Sequence, residues 1–299
     1  MATTTAQRPF KQTLLKWLLV GLGSISGIYF ALCIFLLVWQ NRMIFKPTKT
    51  IENFPATYEI AHQEVWLPVK NGVEIHGWWL PAQANSNGKA LLFLHGNSYN
   101  VGENLFHARR FVEMGFSVLL MDYRGYGLSG GKFPRESQVY EDAQVMYDYL
   151  LEEQSFTPEQ IFVYGHSLGG AIAIDLVQNN PAAGLIAEGT FTSMSDMATY
   201  SGQYSFMPVD FLLHQRFESL SKIPDITIPT LFIHGLEDDV IPAEMGQTLY
   251  NSAIAPKQLF LVPEAGHNDV AKTAGQAYAE TVLNFKQFAL SQASTAVTP

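Results

Sequence analysis

The chain has 299 residues, of which 47% are hydrophobic and only 15% charged, against roughly 25% charged in an average soluble domain; that length fits one large α/β domain or two small ones. Its charge is divided: residues 1–50 carry Arg8, Lys11, Lys16, Arg42, Lys46 and Lys49 and no acid, a net +6, which leaves −15 for residues 51–299. An acidic main body repels phosphate backbones and excludes nucleic acid as a partner, and a sole cysteine, Cys33, excludes a disulfide or a paired-thiol metal site.

After a basic segment, residues 1–16, the run Trp17–Trp39 holds 23 residues without a charge. As a helix rising about 1.5 Å per residue it would cross a hydrocarbon core of roughly 30 Å with some tilt. Trp17 and Trp39 stand at its ends, where indole rings prefer the headgroup level. The rival reading is a cleaved signal peptide, but the apolar run is longer than the ~15 residues of a signal core and no A-x-A-like site follows it. Residues 17–39 are therefore expected to be a transmembrane helix, with the lipid bilayer as partner and basic flanks suited to anionic headgroups. Three basic residues lie on each side, so the positive-inside comparison gives no orientation. Residues 40–61, with Pro47 and Pro55, read as a juxtamembrane linker outside the core, and removing residues 1–46 is expected to release a soluble domain.

Apolar runs and helical patterns then alternate through residues 62–290. Candidate strands are Glu64–Pro68, Glu74–Pro81, Ala90–His95, Ser117–Asp122, Ile161–Gly165, Gly184–Glu188, Thr230–His234 and Gln258–Pro263. The later ones are short continuous apolar runs, as in a parallel sheet buried on both faces. Helical spacing covers Glu103–Glu113, Gln138–Glu153, Leu168–Asn179, Ala243–Asn251 and Thr273–Ala289. The repeat of strand, helix and strand predicts an α/β fold with a mostly parallel central sheet and helices on both faces, opened by two antiparallel strands that a short Lys70-Asn71-Gly72 turn joins. Residues 191–227, rich in Ser, Met, Tyr and Phe, form either a small lid or an ordinary crossover helix with loops. The tail, residues 291–299, is expected to be disordered.

Gly165-His166-Ser167-Leu168-Gly169 follows the strand Ile161–Tyr164 and precedes a helical run, the context a nucleophile elbow requires. A serine pinned in that turn needs glycine on either side, because side chains there would strike neighbouring backbone. Its Oγ then projects above the sheet edge, with the Leu168 N–H at the helix start aimed at a developing oxyanion. These residues resemble the serine hydrolases of the α/β-hydrolase fold, over roughly residues 60–290. His95-Gly96-Asn97 resembles the segment whose backbone N–H groups complete the oxyanion hole, which falls on Asn97 here. Asp122-Tyr123-Arg124-Gly125-Tyr126-Gly127-Leu128-Ser129-Gly130 resembles the loop that ends the fourth strand of that fold. With the leading apolar segment and the Asn-Arg-Met-Ile-Phe-Lys-Pro stretch, the chain is similar to the single-pass membrane-anchored α/β-hydrolase-domain subfamily.

A serine hydrolase needs a base and a carboxylate that orients it. Of the eight histidines, His95, His166 and His234 sit at strand ends beside glycine, His62 and His76 on early strands, and His107 and His214 on helix-like or lid-like segments. His267 stands in a loop just after the last apolar strand, and the order Ser, acid, His is the one this fold uses. The stretch after the preceding strand holds three acids, Glu237, Asp238 and Asp239; the resemblance places the triad acid at Asp238, with Asp239 the competitor. The activity so implied is hydrolysis of a carboxylic ester or acyl thioester through an acyl-enzyme. No metal is expected, since no H-E-x-x-H or paired-cysteine spacing occurs, and no cofactor, since no G-x-G-x-x-G or P-loop follows a strand. The competing readings are a peptidase or amidase on the same fold and a membrane-tethered binding protein with an inactive hydrolase shell.

Overall fold

The computed structural model describes residues 8–295 apart from residues 84 and 255. Its first element, α1 (Arg8–Ile44), is one continuous helix that overruns the uncharged stretch at both ends, and Gln12–Ile44 is long and apolar enough to cross a membrane. There follow β1 (Lys46–Pro47), β2 (Gln63–Val69), β3 (Val73–Leu80), β4 (Ala90–Leu94), β5 (Ser98–Tyr99), α2 (Val101–Glu113), β6 (Ser117–Met121) and α3 (Glu136–Glu152). Next come β7 (Ile161–His166), α4 (Leu168–Asn179), β8 (Gly184–Glu188), and three short helices, α5 (Met194–Ser201), α6 (Val209–Leu212) and α7 (Ser219–Lys222). The chain closes with β9 (Thr230–Gly235), α8 (Ala243–Ser252), β10 (Lys257–Val262), α9 (Val270–Ala274) and α10 (Gln276–Thr295).

Eight strands form one sheet in the order β10-β9-β8-β7-β4-β6-β3-β2. Pairing is parallel from β10 to β6, whereas β3 runs antiparallel to both β6 and β2. The turn expected at Lys70–Gly72 joins β2 to β3, with Asn71 at φ 63°, a left-handed conformation that asparagine tolerates better than most residues. Strands β4, β7, β8 and β9 are buried along their whole length, which explains their unbroken apolar sequences. Alternate residues feed opposite cores: Leu92, Leu94 and Val163 meet the α4 side, and Leu91, Phe93 and Phe162 the side of α2 and α10. Both layers leave the carboxyl ends of the parallel strands free, and the loops that leave those ends build the site.

The sequence expectation fails most clearly over residues 40–61, which are not a linker outside the core. Phe45 is fully buried, with its ring 6.2 Å from that of Phe217. Lys46 and Pro47 pair in parallel with Ser98 and Tyr99 as a second, two-stranded sheet. Asn100, which caps α2 by accepting from the Gly102 amide at 2.8 Å, also donates Nδ2 to the carbonyl of Thr50 at 2.7 Å and to Thr48 Oγ1 at 2.9 Å. The folded body thus begins before residue 62, and a cut after residue 46 would remove part of its core. The physical cause is burial: apolar side chains that follow a long apolar helix and lie against the folded body leave water there, so prolines in this stretch mark a path across the domain rather than a free tether.

Smaller departures have local causes. The helix expected over Thr273–Ala289 is interrupted at Gly275, whose φ of 55° suits glycine. Residues 191–227 are not a single crossover helix with loops but carry three short helices, α5, α6 and α7. Of the tail expected to be disordered from residue 291, the part up to Thr295 continues α10, and the last four residues lie outside the described ones.

Candidate active site

Ser167 stands between β7 and α4 at φ 57° and ψ −122°, a conformation that costs a non-glycine residue on the order of 1–3 kcal/mol. The surroundings hold it there. The Ser167 amide donates to the Glu188 carbonyl at 2.9 Å, and its carbonyl accepts from the Gly170 amide at 2.9 Å and from Thr190 Oγ1 at 2.9 Å. A Cβ at Gly165 would lie 2.2 Å from the Gly169 carbonyl oxygen, and one at Gly169 would lie 2.0 Å from that of Leu94. Both positions therefore admit only glycine, so the two glycines of the motif are a condition for closing the turn onto β4.

His267, in the loop after β10, places Nε2 3.0 Å from Ser167 Oγ and Nδ1 2.7 Å from Asp238 Oδ2. Since Asp238 accepts, Nδ1 carries the proton and Nε2 is left to accept from the serine hydroxyl. Asp238 is buried, whereas its neighbours Glu237 and Asp239 are exposed, so of the three acids Asp238 is the one brought to the histidine. Burial alone would raise its pKa; hydrogen bonds from His234, His267 and the Ile241 amide outweigh that and hold it well below the usual carboxylate range. Oδ1 accepts from the amides of Val240 at 2.9 Å and Ile241 at 2.8 Å, leaving Oδ2 for the imidazole.

Two further histidines brace this unit. His166 Nε2 donates to the His267 carbonyl at 3.0 Å, with the two rings 4.9 Å apart. Burial, assisted by the neighbouring His267, lowers the His166 pKa to about 4 and keeps it neutral. His234 Nε2 lies 2.9 Å from the Ile241 carbonyl and 3.2 Å from Asp238 Oδ2, which ties the end of β9 to the acid loop. The sequence reading placed both beside turns without this link; the offset of four between His234 and Asp238 was its only trace. The segment after β4 is held as firmly: Tyr123 Oη donates to the His95 carbonyl at 3.0 Å and Tyr126 Oη to the Asn97 carbonyl at 2.7 Å.

A cleft of about 540 Å³ opens over Ser167, lined by Asn97, Leu168 and His267 at its base. Its walls are apolar, with Phe191, Met194, Met197 and Met207 on one side and Leu36, Met43 and Ile44 from α1 on another. Asn97 and Leu168, the residues expected to supply oxyanion N–H groups, line the same cleft as Ser167. Among the described residues no aspartate or glutamate lines the cleft, and Lys46 is its only lysine or arginine.

Residues 85–222 match the family model described as "Serine aminopeptidase, S33". The α/β hydrolase domain-containing protein WAV2 of Arabidopsis thaliana is 30% identical over 295 residues, covering 91% of this chain and 94% of that protein. Protein bem46 of Schizosaccharomyces pombe is 29% identical and covers 89% of this chain and 91% of that protein. Among solved structures, the Pyrococcus furiosus esterase Pf2001 superposes with a TM-score of 0.68 at 20% identity, over 82% of this chain and 99% of that one.

Proposed function

We propose that this chain, which belongs to the α/β-hydrolase family, is a membrane-anchored serine hydrolase that cleaves carboxylic esters or acyl thioesters. The observation that carries the reading is the continuous hydrogen-bonded line from Ser167 Oγ through His267 to Asp238, at 3.0 Å and 2.7 Å. In this reading His267 Nε2 takes the Ser167 proton as Oγ bonds to the acyl carbon. The carbonyl oxygen becomes an oxyanion facing the Asn97 and Leu168 N–H groups, an arrangement whose loss in comparable enzymes costs about 10²–10³ in rate per donor. Collapse of that intermediate breaks the bond to the alcohol or thiol, which leaves with the proton held by His267. Water then repeats the sequence, giving its proton to His267 and returning Oγ to Ser167. Asp238 remains ionised throughout and stabilises the imidazolium.

Amide cleavage is the second reading, favoured by the description of the matching family model. An aminopeptidase must hold a charged amine, and the absence of a carboxylate from the described cleft lining supports an uncharged acyl substrate instead. Anchoring rests on α1, whose apolar stretch suits a bilayer span. The test is turnover of a chain-length series of acyl esters, thioesters and amides by the full chain in detergent. Ester or thioester cleavage that Ser167→Ala lowers by about 10⁴-fold or more supports the reading; equal rates for the variant and the parent would refute it.

A further inference from the structure

The wall of the cleft formed by α1 belongs to the same helix that suits a membrane span, and the segment facing it, Tyr200–Leu213, runs along that helix toward its middle. Gln40 anchors one end: Nε2 donates to the Leu212 carbonyl at 3.0 Å, while Oε1 accepts from the amides of His214 at 2.9 Å and Gln215 at 3.1 Å. Further along, Cys33 Sγ lies 3.8 Å from Met207 Sδ, and Tyr29 Oη donates to the Phe206 carbonyl at 3.2 Å. Tyr29, Cys33, Leu36 and Gln40 recur at helical spacing on one face. Tyr29 and Gln40 are about 16 Å apart along the axis at 1.5 Å per residue.

Any span of about 20 residues drawn within the uncharged run Trp17–Trp39 includes Tyr29. A bilayer around that span would put the Phe206 carbonyl within hydrocarbon, where irregular backbone is tolerated only if its polar groups are satisfied. The Tyr29 hydroxyl satisfies it. Phe206 and Phe211 turn outward, 63% and 90% exposed in the isolated chain, which is costly in water and favourable in lipid. Asp210, the only charged residue from Tyr200 to Leu213, accepts from Ser195 Oγ at 2.9 Å.

We propose that Tyr200–Leu213 is seated in the bilayer against α1 and that the cleft above Ser167 opens sideways into the acyl region between them, so the substrate is the acyl chain of a membrane-borne ester or thioester. Resting on the hydrolase reading, this assignment makes α1 a wall of the acyl pocket as well as an anchor. Met207, Leu36 and Met43 line the path from lipid to serine, and an acyl chain travels it without crossing water.

The test uses the full chain in phosphatidylcholine vesicles. A fluorophore is placed at Phe211→Cys in a Cys33→Ser background, and at Ile254→Cys, an exposed site next to the amino end of β10, as control. Nitroxide on the lipid acyl chains should quench the first and spare the second. Phe211→Asp should lower turnover of a vesicle-embedded long-chain ester by about tenfold or more, because an aspartate at that depth disfavours the seated segment. A short water-soluble ester and fluorophosphonate labelling of Ser167 in detergent should be unaffected, which also shows that the variant is folded. Absence of quenching at position 211 overturns the proposal, as does quenching with equal loss on both esters or on neither. Failure of labelling in the parent protein would instead refute the hydrolase reading and leave the depth measurement to stand alone.

Discussion

Two regions converge on the cleft and hold their residues by different physics. At the carboxyl edge of the sheet the backbone decides: Ser167, Asp238 and His267 follow β7, β9 and β10, and close approaches at Gly165 and Gly169 leave no alternative conformation. Along the seam between α1 and residues 200–215, side chains decide, with Gln40 making three hydrogen bonds to backbone more than 170 residues away in sequence. The first arrangement is rigid because strands cannot shift singly within a sheet. The second depends on a few side-chain bonds and on the solvent around the helix, so it can be loosened by one substitution.

The largest separation between the regions should come from the acid. Asp238→Asn is expected to lower turnover by about 10⁴-fold, as loss of the orienting carboxylate does in such triads. Asp239→Asn, at an exposed neighbour, should stay within about threefold by the same logic. The reverse ranking would move the acid by one residue. On the seam side, a chain lacking residues 1–46 should be far less stable than one lacking residues 1–39, because only the longer deletion removes Gln40 and the buried Phe45. Loss of a buried phenylalanine side chain alone costs about 3–5 kcal/mol. Thermal unfolding of the two truncations and of Phe45→Ala in one detergent checks this, and equal melting temperatures would return residues 40–46 to the status of a tether.

How legible each region was in the sequence follows from the same contrast. Strands β4, β7, β8 and β9 read correctly because burial on both faces forces continuous apolar runs, and the strand-turn-helix at Ser167 did because its glycines are a steric condition within five residues. Among the acids, Asp238 needed family resemblance, since nothing local separates it from Glu237 and Asp239; burial does. The seam left no such mark. Gln40 looks like any polar residue at the end of a long apolar run, and the β1–β5 pairing spans two residues per strand, too short for a periodic signal. His166 was passed over because its hydrogen bond to the His267 carbonyl joins residues about a hundred positions apart.

Gln40→Leu should sharpen the comparison with a smaller effect. It leaves two amides and a carbonyl without their partner, which costs about 1–3 kcal/mol for a buried group, and the full chain in detergent should show it as a lowered melting temperature with the triad still reactive. An unchanged melting temperature would mean that water or lipid replaces the glutamine. The last effect concerns acid. His166 is neutral when folded, with its pKa near 4, and titrates near the ordinary histidine value of about 6.5 when unfolded. Below about 6.5 the unfolded chain binds the extra proton, so the contribution of His166 to stability falls by about 1.4 kcal/mol per pH unit until the folded value is reached. The lowered pKa of Asp238 adds a loss of the same sign below about 3.9. His166→Gln should flatten the slope of unfolding free energy between roughly pH 6.5 and 4, and an unchanged slope would assign it to other groups.

The central claim, that Ser167 is a serine activated by His267 and Asp238, is tested most directly by reacting the full chain in detergent with a fluorophosphonate and mapping the adduct by mass spectrometry. The account predicts a single adduct on Ser167, abolished by Ser167→Ala and strongly slowed by His267→Ala. A folded parent protein that stays unlabelled, or an adduct on another residue, would contradict it.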